Sequence, residues 1–144
     1  MQVRDVLREK GRAVISIEPG ASVRDAIALM VQNNIGSLPV VDENNVLLGI
    51  FSERDVLRQL HNQGEGAAKS LMSEVMTRGP VTCEEDEEID CVMGKMSERR
   101  IAKVPVLGQG KLVGVISVGD MIKLMFDRVR SENDHLLNYI HGNV

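Results

Sequence analysis

Asn34-Ile35-Gly36-Ser37-Leu38-Pro39-Val40-Val41, followed by Gly49-Ile50-Phe51-Ser52-Glu53-Arg54-Asp55, is written a second time as Arg100-Ile101-Ala102-Lys103-Val104-Pro105-Val106-Leu107 followed by Gly114-Val115-Ile116-Ser117-Val118-Gly119-Asp120. One constant offset carries Val23 to Ile89, Ile35 to Ile101, Pro39 to Pro105 and Val40 to Val106. After the loss of one turn residue, an offset one shorter carries Gly49 to Gly114, Ser52 to Ser117 and Asp55 to Asp120. An internal repeat of this kind sets the fold before any single element is considered.

Each copy reads as strand, helix, strand, strand, helix. Val23, Ala26, Ile27 and Met30 form the i, i+3, i+4, i+7 stripe of an amphipathic helix with Ser22 as N-cap, and Ile89, Val92, Met93 and Met96 repeat it. Leu38–Val41 and Val46–Phe51 read as a hairpin across the turn residues 42–45, and residues 104–107 and 112–116 read as its counterpart across Gly108-Gln109-Gly110. An opening strand is expected at Val14–Ile17 and again at Val81–Cys83. A unit this short has a marginal core alone, so the copies are expected to pack together. The small, polar residues 63–70 read as a linker. From Gly119 to about His141 there is no Pro and no internal Gly. Ile122, Met125, Val129, Leu136 and Ile140 form an apolar seam, predicting one long helix or two joined ones.

The 144 residues carry 17 Lys+Arg against 21 Asp+Glu, a net charge of −4 and a pI near 5.4, which argues against a protein held to nucleic acid by a positive field. Phe51, Phe126 and Tyr139 are the only aromatics, too few to stack successive bases. No apolar run approaches the ~20 residues of a membrane span, and the start is amphipathic rather than signal-like, so a cytoplasmic protein is expected. Cys83 and Cys91 lack CxxC spacing and clustered His, which gives no support to a zinc site or disulfide framework. The acidic run Glu84–Glu88 reads as a turn and the first turn of a helix rather than a metal site, and no metal is predicted. No GxxxxGK[ST], HExxH or GxSxG motif is present, and His61, His135 and His141 lie outside the repeated segments, so an enzyme is not expected.

Both copies read Gly-x-x-Ser-x-x-Asp at a strand-to-helix junction. Ser at an N-cap with an acid three residues on is a capping box, and that alone explains the motif. The same junction offers helix-terminal N–H donors suited to phosphate and a carboxylate able to accept two ribose hydroxyls. Asp in both copies fits capping less well than the longer Glu or Gln. The small residues of 34–39 and 100–105 allow a flat ring to approach the backbone, or else serve tight helix–strand packing. Lys103 stands where the first copy has Ser37, which favours phosphate in its pocket.

The paired pattern, from about Val3 to about Phe126, resembles the tandem cystathionine-β-synthase-type (CBS) domain pair, or Bateman module. The tail 136–142 resembles that of small stand-alone bacterial members with a helix beyond the second domain, which bind adenine nucleotides. The resemblance implies an α/β (α+β mixed) fold: two β-α-β-β-α repeats about a pseudo-twofold axis, plus a C-terminal helix. Residues 1–62 would form the first CBS domain, 63–70 a linker, 71–127 the second domain and 128–144 a helical extension. It implies two composite clefts for adenosine-type ligands. Ser52, Arg54 and Asp55 would face Thr82, Ile101, Ala102, Lys103 and Pro105. Ser117 and Asp120 would face Ser16, Ile35, Gly36, Ser37 and Pro39. Asp55 and Asp120 would hold ribose hydroxyls, and Arg54, Lys103 and Arg100 would meet phosphates. Gly119 in place of Arg54 leaves the second cleft less basic, and Ala102-Lys103 stands where related proteins often have Arg-His. The implied function is a non-catalytic sensor of AMP, ADP, ATP or NAD that acts on a regulated protein. The alternatives are a ligand-free dimerisation or interaction module and an S-adenosylmethionine sensor. A homodimer or larger assembly through the C-terminal helix is expected, with neither nucleic acid nor membrane as a partner.

Overall fold

Ser22, Ser52 and Ser117 each stand in extended conformation immediately before a helix, and each hydroxyl accepts a hydrogen bond from the amide three residues on. In the computed structural model, which describes residues 1–142, these caps open three of six α-helices: α1 (Val3–Lys10), α2 (Val23–Asn33), α3 (Glu53–Gln63), α4 (Met72–Val75), α5 (Ile89–Arg99) and α6 (Val118–Ile140). The strands are β1 (Ser37–Val41), β2 (Leu47–Ser52), β3 (Thr77–Arg78), β4 (Cys83–Glu84), β5 (Lys103–Gly108) and β6 (Lys111–Ser117). They form two three-stranded sheets, ordered β1-β2-β3 and β4-β5-β6. The α/β class and the C-terminal helix expected from the sequence are present, and the latter is one continuous helix.

The chain divides into two units. The first comprises Ala13–Thr82 together with the hairpin tip Leu107–Val113. Its antiparallel β1–β2 pair places Leu38 opposite Phe51 and Val40 opposite Gly49, and β3 adds Thr77 opposite Ile50. Leu38, Val40, Phe51, Ala26 and Met72 are wholly buried there, each large side chain contributing ~1.5–3 kcal/mol by leaving water. The tip joins through Asn45, whose side-chain amide donates to the Leu112 carbonyl at 2.7 Å.

The second unit comprises Met1–Arg12, Cys83–Val106 and the chain from Gly114 onward. Val3, Val6, Leu7, Val92, Met96, Val104, Ile116 and Met121 supply its buried apolar side chains. The repeat extends to the backbone bonding. In the first unit Met72 N–H donates to Ala21 O at 2.8 Å, Ser73 N–H to Pro19 O at 3.0 Å and Val23 N–H to Ser70 O at 2.9 Å. In the second, Val3 N–H donates to Glu87 O at 2.9 Å, Arg4 N–H to Glu85 O at 2.9 Å and Ile89 N–H to Met1 O at 3.0 Å. Helix α1 thus does for the second unit what α4 does for the first. Leu7 lies against Gly114 as Met76 lies against Gly49.

One local expectation changes. The opening strand at Val14–Ile17 shrinks to one parallel bridge, Ile17 to Val40, because only Ile17 turns into the core and Pro19-Gly20 ends the run. Its counterpart is β4, which begins at Cys83. Within residues 63–70, read as a linker, Gly64–Lys69 forms a 3-10 helix with Ala67 buried.

Candidate functional site

The first Gly-x-x-Ser-x-x-Asp segment lies at the end of β2 and the start of α3. Ser52 N–H and Oγ both donate to Asp55 Oδ2, at 2.9 and 3.1 Å. The other oxygen, Oδ1, accepts from Thr77 Oγ1 at 3.0 Å and from Arg58 Nη1 at 3.1 Å. Asp55 is 3% exposed, the one charged side chain buried among the described residues. Burial of a carboxylate is tolerable only with such partners. Arg54 points into solvent one residue away.

The second segment lies at the end of β6 and the start of α6. Ser117 N–H donates to Asp120 Oδ2 at 2.9 Å, and Asp120 N–H donates to Ser117 Oγ at 3.0 Å. Here the outer partner is Lys10, whose Nζ donates to Asp120 Oδ2 at 2.6 Å and to the Val115 carbonyl at 2.7 Å. Burial pushes the Asp120 carboxyl up, but the Lys10 ammonium and the Ser117 donors outweigh it, and the net shift is downward.

A third box, Ser22–Asp25, has the same geometry: Ser22 N–H donates to Asp25 Oδ2 at 3.0 Å and Asp25 N–H to Ser22 Oγ at 3.1 Å. Asp therefore closes a capping box at a third helix start as well, which removes the choice of Asp as a reason to look beyond capping. What separates the two junctions from the third is the extra donor set: Thr77 and Arg58 on Asp55, and Lys10 on Asp120.

The pre-proline segments lie beside their own copy's helix start. Glu53 N–H donates to Gly36 O at 3.0 Å, and Val118 N–H donates to Ala102 O at 3.0 Å. A Cβ on Gly36 would come within 3.2 Å of the Glu53 carboxylate, so the small residue there serves close approach. Ile35 and Gly36 also line an open cleft of about 560 Å³ in the first unit, with Ile27, Met30, Glu53 and Val56. Ser37 starts β1, Pro39 is buried within it, and Ser16 is half-buried beside the Ile17 bridge. In the second unit Ala102 and Lys103 are exposed, Ile101 half-buried and Pro105 buried; Arg100 is the left-handed C-cap of α5 at φ 54°. Thr82 is half-buried at the end of the first unit's main segment.

Cys83 is buried and Cys91 exposed, both as free thiols. Burial, with Glu87 adding to it, pushes the Cys83 thiol up to about 12. The acidic run is held by ion pairs: Glu85 with Arg12, Glu87 with Lys95 and Glu88 with the N-terminal ammonium. No group of three or more potential metal ligands occurs among the described residues, and no described helix is long and apolar enough to cross a membrane.

Thr77, Arg58 and Lys10 were not singled out by the sequence. Arg58 is one helical turn beyond Asp55 and was legible from spacing. Thr77 and Lys10 reach their carboxylates from 22 and 110 residues away, and no local signal marks them.

Comparison with known proteins agrees with this architecture. The family model for the CBS domain matches residues 3–62 and 72–127. A CBS-domain protein from Agrobacterium tumefaciens, ATU1752, has a similar structure, with a TM-score of 0.80 and 35% identity over 87% of this chain and 99% of that one. The CBS domain pair of MJ0100, in complex with 5′-methylthioadenosine and S-adenosyl-L-methionine, matches with a TM-score of 0.75 and 31% identity over 89% of this chain and 98% of that one. The Arabidopsis thaliana mitochondrial protein CBSX3 is 30% identical over 97% of this chain and 72% of its own length. The pair also occurs within longer proteins: the chain spans 23% of the L-aspartate semialdehyde sulfurtransferase of Methanocaldococcus jannaschii, with 32% identity over 123 residues. Pairs of this kind are generally regulatory ligand-binding modules rather than catalysts. With a matching pair of family segments, two repeated sheets and two capped Ser-x-x-Asp junctions, the chain belongs to the CBS-domain family.

Proposed function

We propose that the protein is a non-catalytic, cytoplasmic regulatory module that binds an adenine nucleotide (AMP, ADP, ATP or NAD) at its two Ser-x-x-Asp junctions. The observation that carries this reading is the duplicated carboxylate at a helix N-terminus that holds, besides its capping serine, an outer donor set absent from Ser22–Asp25: Thr77 and Arg58 on Asp55, and Lys10 on Asp120. Such a carboxylate accepts ribose hydroxyls, while the terminal N–H groups and dipole suit phosphate. Support comes from the adenosine-type ligands of MJ0100. Ser52, Arg54 and Asp55, and Ser117 and Asp120, are the inner residues of the proposed sites. Ser16, Ile35, Gly36, Ser37 and Pro39, and Thr82, Ile101, Ala102, Lys103 and Pro105, are proposed to complete them, with Lys103 and Arg54 toward phosphate.

Binding regulates only if the ligand favours one of two arrangements of the protein, and the size of the response is bounded by that difference in affinity. Calorimetric titration of AMP, ATP, NAD and S-adenosylmethionine into wild type, Asp55→Asn and Asp120→Asn tests the reading. Saturable binding of at least one adenine nucleotide, weakened at least tenfold by one of the substitutions, supports it. S-adenosylmethionine alone binding would move the ligand to the class seen on MJ0100. Silence from all four would leave both motifs as helix caps in a ligand-free interaction module.

A further inference from the structure

The two junctions are alike in their inner hydrogen bonds and unlike in what reaches them from outside. Asp55 is buried beneath a neutral hydroxyl, Thr77 Oγ1, on a strand, and beneath Arg58 of its own helix. Asp120 meets a lysine at the end of α1, on a flexible four-carbon stem, with 33% of that side chain exposed against 26% for Asp120. The Lys10 ammonium is set on two oxygens at once, Asp120 Oδ2 at 2.6 Å and Val115 O at 2.7 Å. It has three donors, so one stays available for a third acceptor. Gly119 stands where the first junction has Arg54, and Lys10 restores, from a distant part of the chain, the cation that the local motif lacks.

We propose that Lys10 is the specificity-determining residue of the Asp120 site: a tethered cation that ribose hydroxyls must displace from the carboxylate, and that then pairs with the ligand's phosphate, so the site selects phosphorylated over unphosphorylated adenosine. This rests on the nucleotide-binding reading above and names which member of that ligand class the site prefers. A nucleoside without phosphate loses the Lys10–Asp120 pair and gains nothing in return. A nucleotide exchanges one charged partner of Lys10 for another, at little net cost. An ion pair at a half-exposed position is worth ~1 kcal/mol, or about fivefold in affinity.

The test is a titration of wild type, Lys10→Met and Lys10→Arg with adenosine and with AMP, followed by amide NMR at residues 117–120, with residues 52–55 as an internal control. Methionine keeps the aliphatic stem, and arginine keeps the charge. In wild type, AMP is expected to bind at residues 117–120 at least about fivefold more tightly than adenosine. In Lys10→Met, adenosine should tighten by about fivefold, AMP should weaken and the preference should vanish, with residues 52–55 unaffected. Lys10→Arg should retain it. Binding at residues 117–120 with the same AMP-to-adenosine ratio in wild type and Lys10→Met overturns the role of Lys10 and leaves the nucleotide reading standing. If neither ligand moves the amides of residues 117–120 in any of the three proteins, the Asp120 junction is no adenosine site and the proposal falls; the nucleotide reading falls with it only if residues 52–55 are also unmoved.

Discussion

Asp55 and Asp120 hold equivalent places in the repeat, yet Asp55 is 3% exposed and the Asp120 side chain 26%. Asp55→Ala removes the acceptor of four donors, leaves Thr77 and Arg58 without their partner, and should cost ~2–4 kcal/mol in denaturant unfolding. Thr77→Val removes a single donor and should cost ~1 kcal/mol. Equal losses for the two would contradict the network. Asp120 adds a pH signature. Its folded pKa lies below the ordinary value of 3.8, so its stabilising contribution is complete above that value and is lost as pH falls through the folded one. In Lys10→Met the Asp120 carboxyl should titrate higher, and carbon-13 NMR of the side chain reads the shift directly. The thiols separate in the same way: at pH 8, mild alkylation should modify Cys91 and spare Cys83, whose thiol is buried and raised to about 12. Rapid double labelling of the native protein would contradict that placement.

At the level of elements, the repeat was legible because each device recurs at a fixed offset: the Ser cap, the apolar stripe, the Pro in the middle of the buried strand and the Gly three residues before each Ser. The spacing could not show which short helix serves which copy. Helices α1 and α4 each pack with residues distant in sequence, through backbone bonds that carry no side-chain code. The first opening strand was overread because Val14 and Ile15 satisfy β-propensity but lie outside the core. The two repeated glycines answer differently to an added methyl group. At Gly49 a Cβ meets the Thr77 carbonyl oxygen at 2.6 Å, a backbone atom that cannot step aside. At Gly114 it meets Leu7 Cδ2 at 2.6 Å, the end of a side chain that can rotate. Gly49→Ala should therefore be the more destabilising in thermal melts, by ~1–3 kcal/mol, and Gly114→Ala the milder. Arg100 caps α5 in the left-handed region that glycine occupies freely, so Arg100→Gly should be neutral to stabilising by up to ~1 kcal/mol.

For the whole molecule, α6 poses a question that its own unit does not answer. Ile122, Met125, Val129, Leu136 and Ile140 are all exposed along its length, four of them by more than half. The sequence marked this seam and predicted self-association through it, since ordinary monomers rarely leave so long an apolar stripe in water. Sedimentation equilibrium should find a dimer or larger species, and Val129→Asp with Leu136→Asp should shift it toward monomer. A wild-type monomer at high concentration would remove the prediction. The Ser and Asp of the two junctions were legible from the repeat; the cation at Asp120 was not, because it arrives from 110 residues away. Nucleotide recognition at the two junctions is tested most directly by a crystal structure of the protein grown with AMP. The account predicts ribose hydroxyls within hydrogen-bonding distance of Asp55 or Asp120. Crystals with both carboxylates bonded only to their protein donors, or with AMP bound away from them, would contradict it.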